Sequence, residues 1–119
     1  MVTDAGTRNN SELFNVVTQR WEVGPELPEN FKLGCAVSLN AEDTKHLLLT
    51  GDSENAWIFD WLGSMTWEHA GYRSSDADSF VCTRAMVENG SRDVVVVAGG
   101  RTAICHNTVD IFDISSGTW

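Results

Sequence analysis

The residues best suited to chemistry in this 119-residue chain are His46, His69 and His106, the thiols of Cys35, Cys82 and Cys105, and the lone tyrosine, Tyr72. Imidazole and thiolate bind zinc and copper, and imidazole and phenol carry protons. Their spacing organises neither chemistry. The cysteines show no CxxC pattern and make an odd count, so neither a zinc site nor a disulfide framework is expected. Cys105-His106 comes nearest to a metal pair, but adjacent residues of an extended segment point to opposite faces. No HExxH, no phosphate-binding glycine loop and no nucleophile elbow is present. The expectation is a chain with no catalytic residue, no metal and no cofactor. Reduced cytoplasmic thiols are the default. The Asn-x-Ser sequons at Asn9 and Asn89 are too few in a chain rich in Asn and Ser to indicate a compartment, so an extracellular location stays open.

Composition narrows the partners. A formal charge of −9 argues against a nucleic acid, whose phosphates call for clustered Lys and Arg. No apolar run approaches the roughly 20 residues of a membrane span, and the polar amino terminus has no apolar signal region. A 42% hydrophobic content is ample for the core of one domain.

The elements available to position loops are strands. Residues 94–98 are four valines and an alanine, β-branched and too short for a buried helix, and they run into Gly99-Gly100. From Thr108 the side chains alternate, Val109, Ile111 and Asp113 on one face and Asp110, Phe112 and Ile114 on the other. Bulk on both faces predicts a sheet packed on two sides. Further strands are expected at 13–17, from Trp21, at 32–39, from His46 to the glycine at 51, at 55–60 and at 80–87. Asn89-Gly90 is a hairpin turn.

These segments recur. Gly51 and Gly99 stand 48 residues apart, and Trp21, Trp67 and Trp119 are separated by 46 and 52. Each Trp follows a phenylalanine by seven or eight residues (Phe14, Phe59, Phe112), and each phenylalanine follows an asparagine by four or five. A period near 50 with about four strands per unit points to propeller blades. Within it, Phe112-Asp113-Ile-Ser-Ser-Gly-Thr-Trp119 and Phe14-Asn15-Val-Val-Thr-Gln-Arg-Trp21 resemble the Tyr-Asp-x-x-Thr-x-x-Trp element of the kelch repeat, with Gly99-Gly100 as its glycine pair. The resemblance runs from about residue 10 to the end of the chain. Phenylalanine replaces the tyrosine in all three copies, the glycine pair becomes Gly51-Asp52 in the middle copy, and that copy has one extra residue before Trp67.

The resemblance implies an all-β fold of kelch-type β-propeller blades, each a four-stranded antiparallel sheet, in an incomplete ring. Residues 1–9 would be a disordered leader, 10–30 the last two strands of a preceding blade, and 31–70 and 71–119 one repeat each. About two and a half units fall short of the roughly four to eight blades of a closed propeller. A fragment, a truncated product or closure by oligomerisation follows, in that order, with self-association through open blade faces. Trp and Phe of each copy would pack between sheets. Trp57 and Trp61 have no counterparts in the other copies and read first as extra core packing, with an exposed binding aromatic as the alternative. In kelch propellers the loops between second and third strands and between blades form a binding face. Here that face comprises Asp52, Glu54, Arg101 and His106 together with Glu26, Glu29, Arg73, Asp76 and Asp78, a mostly acidic rim suited to a protein partner presenting a basic segment. The expected function is an interaction module, adaptor or scaffold. The alternative is part of a galactose-oxidase-type or sugar-modifying enzyme whose site lies in further blades, since Tyr72 alone cannot supply that site's tyrosines.

Overall fold

Short β-branched and aromatic runs separated by turn residues become strands throughout. A computed structural model describes residues 2–3 (backbone only) and 10–119, and the rest of the expected leader lies outside the described residues. The strands are β1 (Val2–Thr3), β2 (Ser11–Asn15), β3 (Arg20–Val23), β4 (Cys35–Ser38), β5 (Lys45–Leu49), β6 (Asn55–Asp60), β7 (Trp67–Tyr72), β8 (Val81–Val87), β9 (Arg92–Ala98) and β10 (Val109–Asp113). They form three antiparallel sheets in the orders β1-β2-β3, β4-β5-β6-β7 and β10-β9-β8. The chain is therefore all-β, and the described residues include no helix. Hairpin connections explain why each sheet follows chain order. The 13–17 strand sits two residues earlier than expected, because Asn15 Oδ1 accepts the amides of Val17 and Thr18 and starts the turn there.

The repeat is visible as geometry. Phe14 stands opposite Trp21 across β2 and β3, and Phe59 opposite Trp67 across β6 and β7. The ring centroids of Phe14–Trp21, Phe59–Trp67 and Phe112–Trp119 lie 5.1, 4.7 and 5.2 Å apart, tilted at 50°, 49° and 56°. After each phenylalanine an Asn or Asp folds the chain back. Asn15 Oδ1, Asp60 Oδ1 and Asp113 Oδ1 each accept the amides two and three residues ahead. Each turn then uses one left-handed residue, Gln19, Met65 or Gly117. The extra residue of the middle copy is absorbed before Met65 and leaves the aromatic pair intact. Register also relates the glycines. Leu49 faces Ala56 and Ala98 faces Val109. Two residues beyond those pairs stand Gly51 and Gly100, so strand pairing makes Gly51 the counterpart of Gly100, with Thr50 at the place of Gly99. Gly100 needs to be glycine twice over, for its φ of 117° and because a Cβ would sit 2.8 Å from that of Ala77.

The second and third sheets pack face to face as a wedge. Their strands come closest at β4 and β8. Across the gap Leu47, Leu49 and Ala56 meet Val95, Val97 and Phe112, all buried, with Val37, Ile58 and Ala70 beside them. At the wide end Trp119 fills the space, its Nε1–H donating to the carbonyl of Ala70 at 2.9 Å. Gly71 makes room for that ring, since a Cβ there would lie 3.1 Å from Trp119 Cδ1. At the narrow end stands a covalent bond. Cys35 and Cys82 form a disulfide with their Cα atoms 6.4 Å apart. The expectation of three reduced thiols is thus corrected, because the two residues lie one repeat apart, on equivalent strands of adjacent sheets. Cys105 is free and exposed.

Two packing expectations also change. The face of β10 carrying Val109 and Ile111 is not covered, and these side chains are 60% and 45% exposed, while Phe112 on the other face is 1% exposed. Phe14 and Trp21 pair with each other but remain 44% and 55% exposed, since no sheet of the described residues lies on their side. Between the first and second sheets Leu13, Ala36, His46, Leu48 and Trp61 line an open cleft of about 310 Å³.

Candidate interaction surface at the loop end

The loops after β5, β7 and β9 gather at one end of the sheets because these strands all run toward it. Their hub is Arg73, 3% exposed. Its amide donates to Glu54 O. Its guanidinium donates to the carbonyls of Ser53 (3.2 and 2.9 Å), Thr50 (2.9 Å) and Ala77 (2.7 Å). Its cationic carbon lies 4.0 Å over the Phe80 ring. Burial pulls the guanidinium below its ordinary pKa, opposed by the negative charges of Asp110, Asp76 and Glu54. Arg73 was expected on the binding rim, and the structure corrects this. The side chain is spent inside, where the N–H groups on Nε and Nη2 satisfy loop carbonyls that would otherwise be buried unpaired.

The other rim residues surround that hub. Asp78 and Arg101 pair through their backbones, with mutual N–H···O distances of 3.0 and 2.8 Å, tying the loop before β8 to the loop after β9. Asp52 adopts φ 59° and forms an exposed ion pair with Lys32. That contact raises the Lys32 pKa, chiefly through the hydrogen bond from Nζ to Asp52. Glu54 and Asp76 are exposed. Asp110 Oδ2 accepts the Ser74 amide at 3.3 Å. Arg101 is exposed, and His106 Nε2 lies 2.9 Å from Thr102 Oγ1. One end of the molecule therefore brings Asp52, Glu54, Asp76, Asp78, Arg101 and His106 together, and Arg73 alone among the expected contact residues is withdrawn from solvent.

Glu29 holds a different place from the one its loop position suggests. Its carboxylate accepts from Ser53 Oγ (3.1 and 3.0 Å), Asn55 Nδ2 (3.2 Å) and Trp57 Nε1 (2.8 Å). It thus clamps the linker after β3 onto the start of β6. Trp57 is half-buried and in edge contact with His69, whose Nε2 lies 3.0 Å from Asn55 Oδ1 and whose ring also meets Tyr72. Trp61 is likewise half-buried, its Nε1–H donating to His46 Nδ1 at 3.0 Å, with His46 Nε2 3.2 Å from Asp43. Both extra tryptophans therefore serve packing with a polar handle, as buried indoles require. The three histidines have separate sets of partners. Glu29 was expected only as a rim carboxylate, not as a clamp, and Asp110 was not singled out at all. The signal for Asp110 is a charged residue on the Phe112 face of β10. Compared with protein-family models the chain matches none, and no curated protein is significantly similar to it.

Proposed function

We propose that the chain is a segment of a kelch-type β-propeller that works as a protein-interaction module, its loop end receiving a basic segment of a partner. The propeller reading is supported by the threefold Phe–Trp pair with its Asx turn, by the four-stranded sheet, and by the wedge packing of the second and third sheets. One observation carries the function. Loops distant in sequence are locked around Arg73 into one surface whose outward charges are mostly carboxylates. Such a surface is held rigid by the scaffold and attracts cationic groups.

The test uses a fluorescent octa-arginine peptide and the neutral pair Glu54→Gln with Asp76→Asn. Two lost rim charges, at about 0.2–1 kcal/mol each, should weaken binding by about two- to thirtyfold at low salt. Glu42→Gln with Glu88→Gln removes the same charge from the opposite end and should leave binding nearly unchanged. Equal losses from both pairs would show that the peptide senses only net charge, and the loop end would be refuted as the site.

A further inference from the structure

The molecule contains, at opposite ends of its stack of sheets, the two halves of a contact that it also makes internally. Phe112 and Trp119 of the third sheet press on the face of the second sheet that carries Cys35, Leu49 and Ala56 in one row and Val37, Leu47 and Ile58 in the next. Strand register assigns each of these an equivalent on the far face of the third sheet. Val81, Ala98 and Val109 form one row, and Thr83, Val96 and Ile111 the other. Leu47, Leu49 and Ala56 are fully buried, whereas Val81, Val109 and Ile111 are 68%, 60% and 45% exposed. The plug is duplicated as well. Phe14 and Trp21 hold the same pair geometry as Phe112 and Trp119, on the same face relative to their strands, and remain 44% and 55% exposed among the described residues. Socket and plug are thus both apolar, both uncovered, and shaped by the same repeat.

We infer that this chain associates head to tail with a second copy of itself, the Phe14–Trp21 face of one seating on the Val81, Val96, Val109 and Ile111 face of the next. The occupant is argued from the internal contact, since the plug that fits this type of socket is present on every copy. The interface is heterologous: one copy's plug meets the other's socket and leaves one of each free, so it propagates until a ring closes. It rests on the stacking of the sheets and is independent of the loop-end binding proposed above.

Sedimentation velocity of two complementary variants tests it. Phe14→Ser with Trp21→Arg removes the plug, and Val109→Asn with Ile111→Lys removes the socket. The parent chain should associate increasingly with concentration, each variant alone should sediment as a monomer, and their equimolar mixture should form a dimer and nothing larger. A parent chain that stays monomeric, variants that associate like the parent, or a mixture that stays monomeric would each overturn the proposal. Retention of a single alkylatable thiol confirms that Cys35–Cys82 is intact and the second and third sheets are docked. A variant failing that check is replaced by Trp21→Gln or Ile111→Ser, to which the same outcomes apply.

Discussion

Opening the Cys35–Cys82 bond should remove a large share of the protein's stability. The bond joins residues 47 apart in sequence. Closing a loop of that length in the unfolded chain corresponds to about 4 kcal/mol. A domain of this size has roughly 5–15 kcal/mol in all. The wedge magnifies the consequence, because β4 and β8 are the strands that approach across the two sheets, and the bond sits at that narrow end. At roughly 3–6 °C per kcal/mol, the thermal midpoint should fall by about 15 °C on reduction or in a Cys35→Ser, Cys82→Ser variant. Thiol alkylation followed by mass spectrometry should count one reactive cysteine, Cys105, in the native protein and three after reduction and unfolding. Cys105→Ser should leave the midpoint unchanged. Three reactive thiols in the freshly isolated native protein, or a midpoint insensitive to reductant, would refute the covalent staple and the stability assigned to it.

Two more outcomes follow from the loop hub and the turns. Arg73→Ala strips partners from the carbonyls of Thr50, Ser53 and Ala77 and should cost about 3 kcal/mol or more in urea unfolding. Arg73→Lys should recover only part of this because one ammonium cannot span the three acceptors, and a loss below about 1 kcal/mol in the alanine variant would contradict the hub. Asp113 is held well below the usual carboxylate pKa, first by the Ser115 hydroxyl and next by Arg92. A depressed folded pKa means that its stabilisation is present above the unfolded value near 4 and is lost as pH falls toward the folded one. Asp113→Asn keeps the turn acceptor, as Asn15 does naturally, but loses the Arg92 pair. It should therefore be less stable than the parent at pH 7, with the gap narrowing progressively as pH falls below about 4, and a gap that does not narrow in acid would reject this account.

The strands and their repeat were legible because both are written in local pattern. β-branched runs, Asn-Gly, and an Asx residue after each phenylalanine act within a few residues of themselves. What was not legible depended on which neighbours a copy has. Phe14 and Phe112 look alike in sequence, yet one is 44% exposed and the other 1%, because among the described residues only the latter has a sheet on its side. Val109 and Ile111 suggested a doubly covered strand by the same blindness to context. Arg73 looked like any charged loop residue, since nothing local announces that the carbonyls of Thr50 and Ser53 from another loop converge on it with that of Ala77 from its own. The disulfide could have been found. A separation of 47 matches the repeat, and two cysteines one repeat apart on the closest strands of adjacent sheets are natural partners.

The two buried-face tryptophans show how the same residue is served unequally by its surroundings. Trp119 donates its indole N–H to Ala70 O on the preceding sheet, whereas Trp67, one repeat earlier, has a buried Nε1 with no acceptor among the described residues. An unsatisfied buried donor of this kind costs about 1–3 kcal/mol. The difference lies in what each ring faces. Trp119 faces a complete four-stranded sheet whose outer strand, β7, offers a carbonyl. Trp67 faces a first sheet that covers the second incompletely and leaves the cleft lined by Leu13, Leu48 and Trp61. Packing therefore weakens from the third sheet toward the first, ending at Phe14 and Trp21, which are 44% and 55% exposed. Local opening should begin at β2 and β3, and hydrogen exchange should find their amides least protected of the paired strands. If a second copy seats on Phe14 and Trp21, that protection should rise with protein concentration while β5 and β9 stay unchanged, because only the first sheet gains what Trp119 already has.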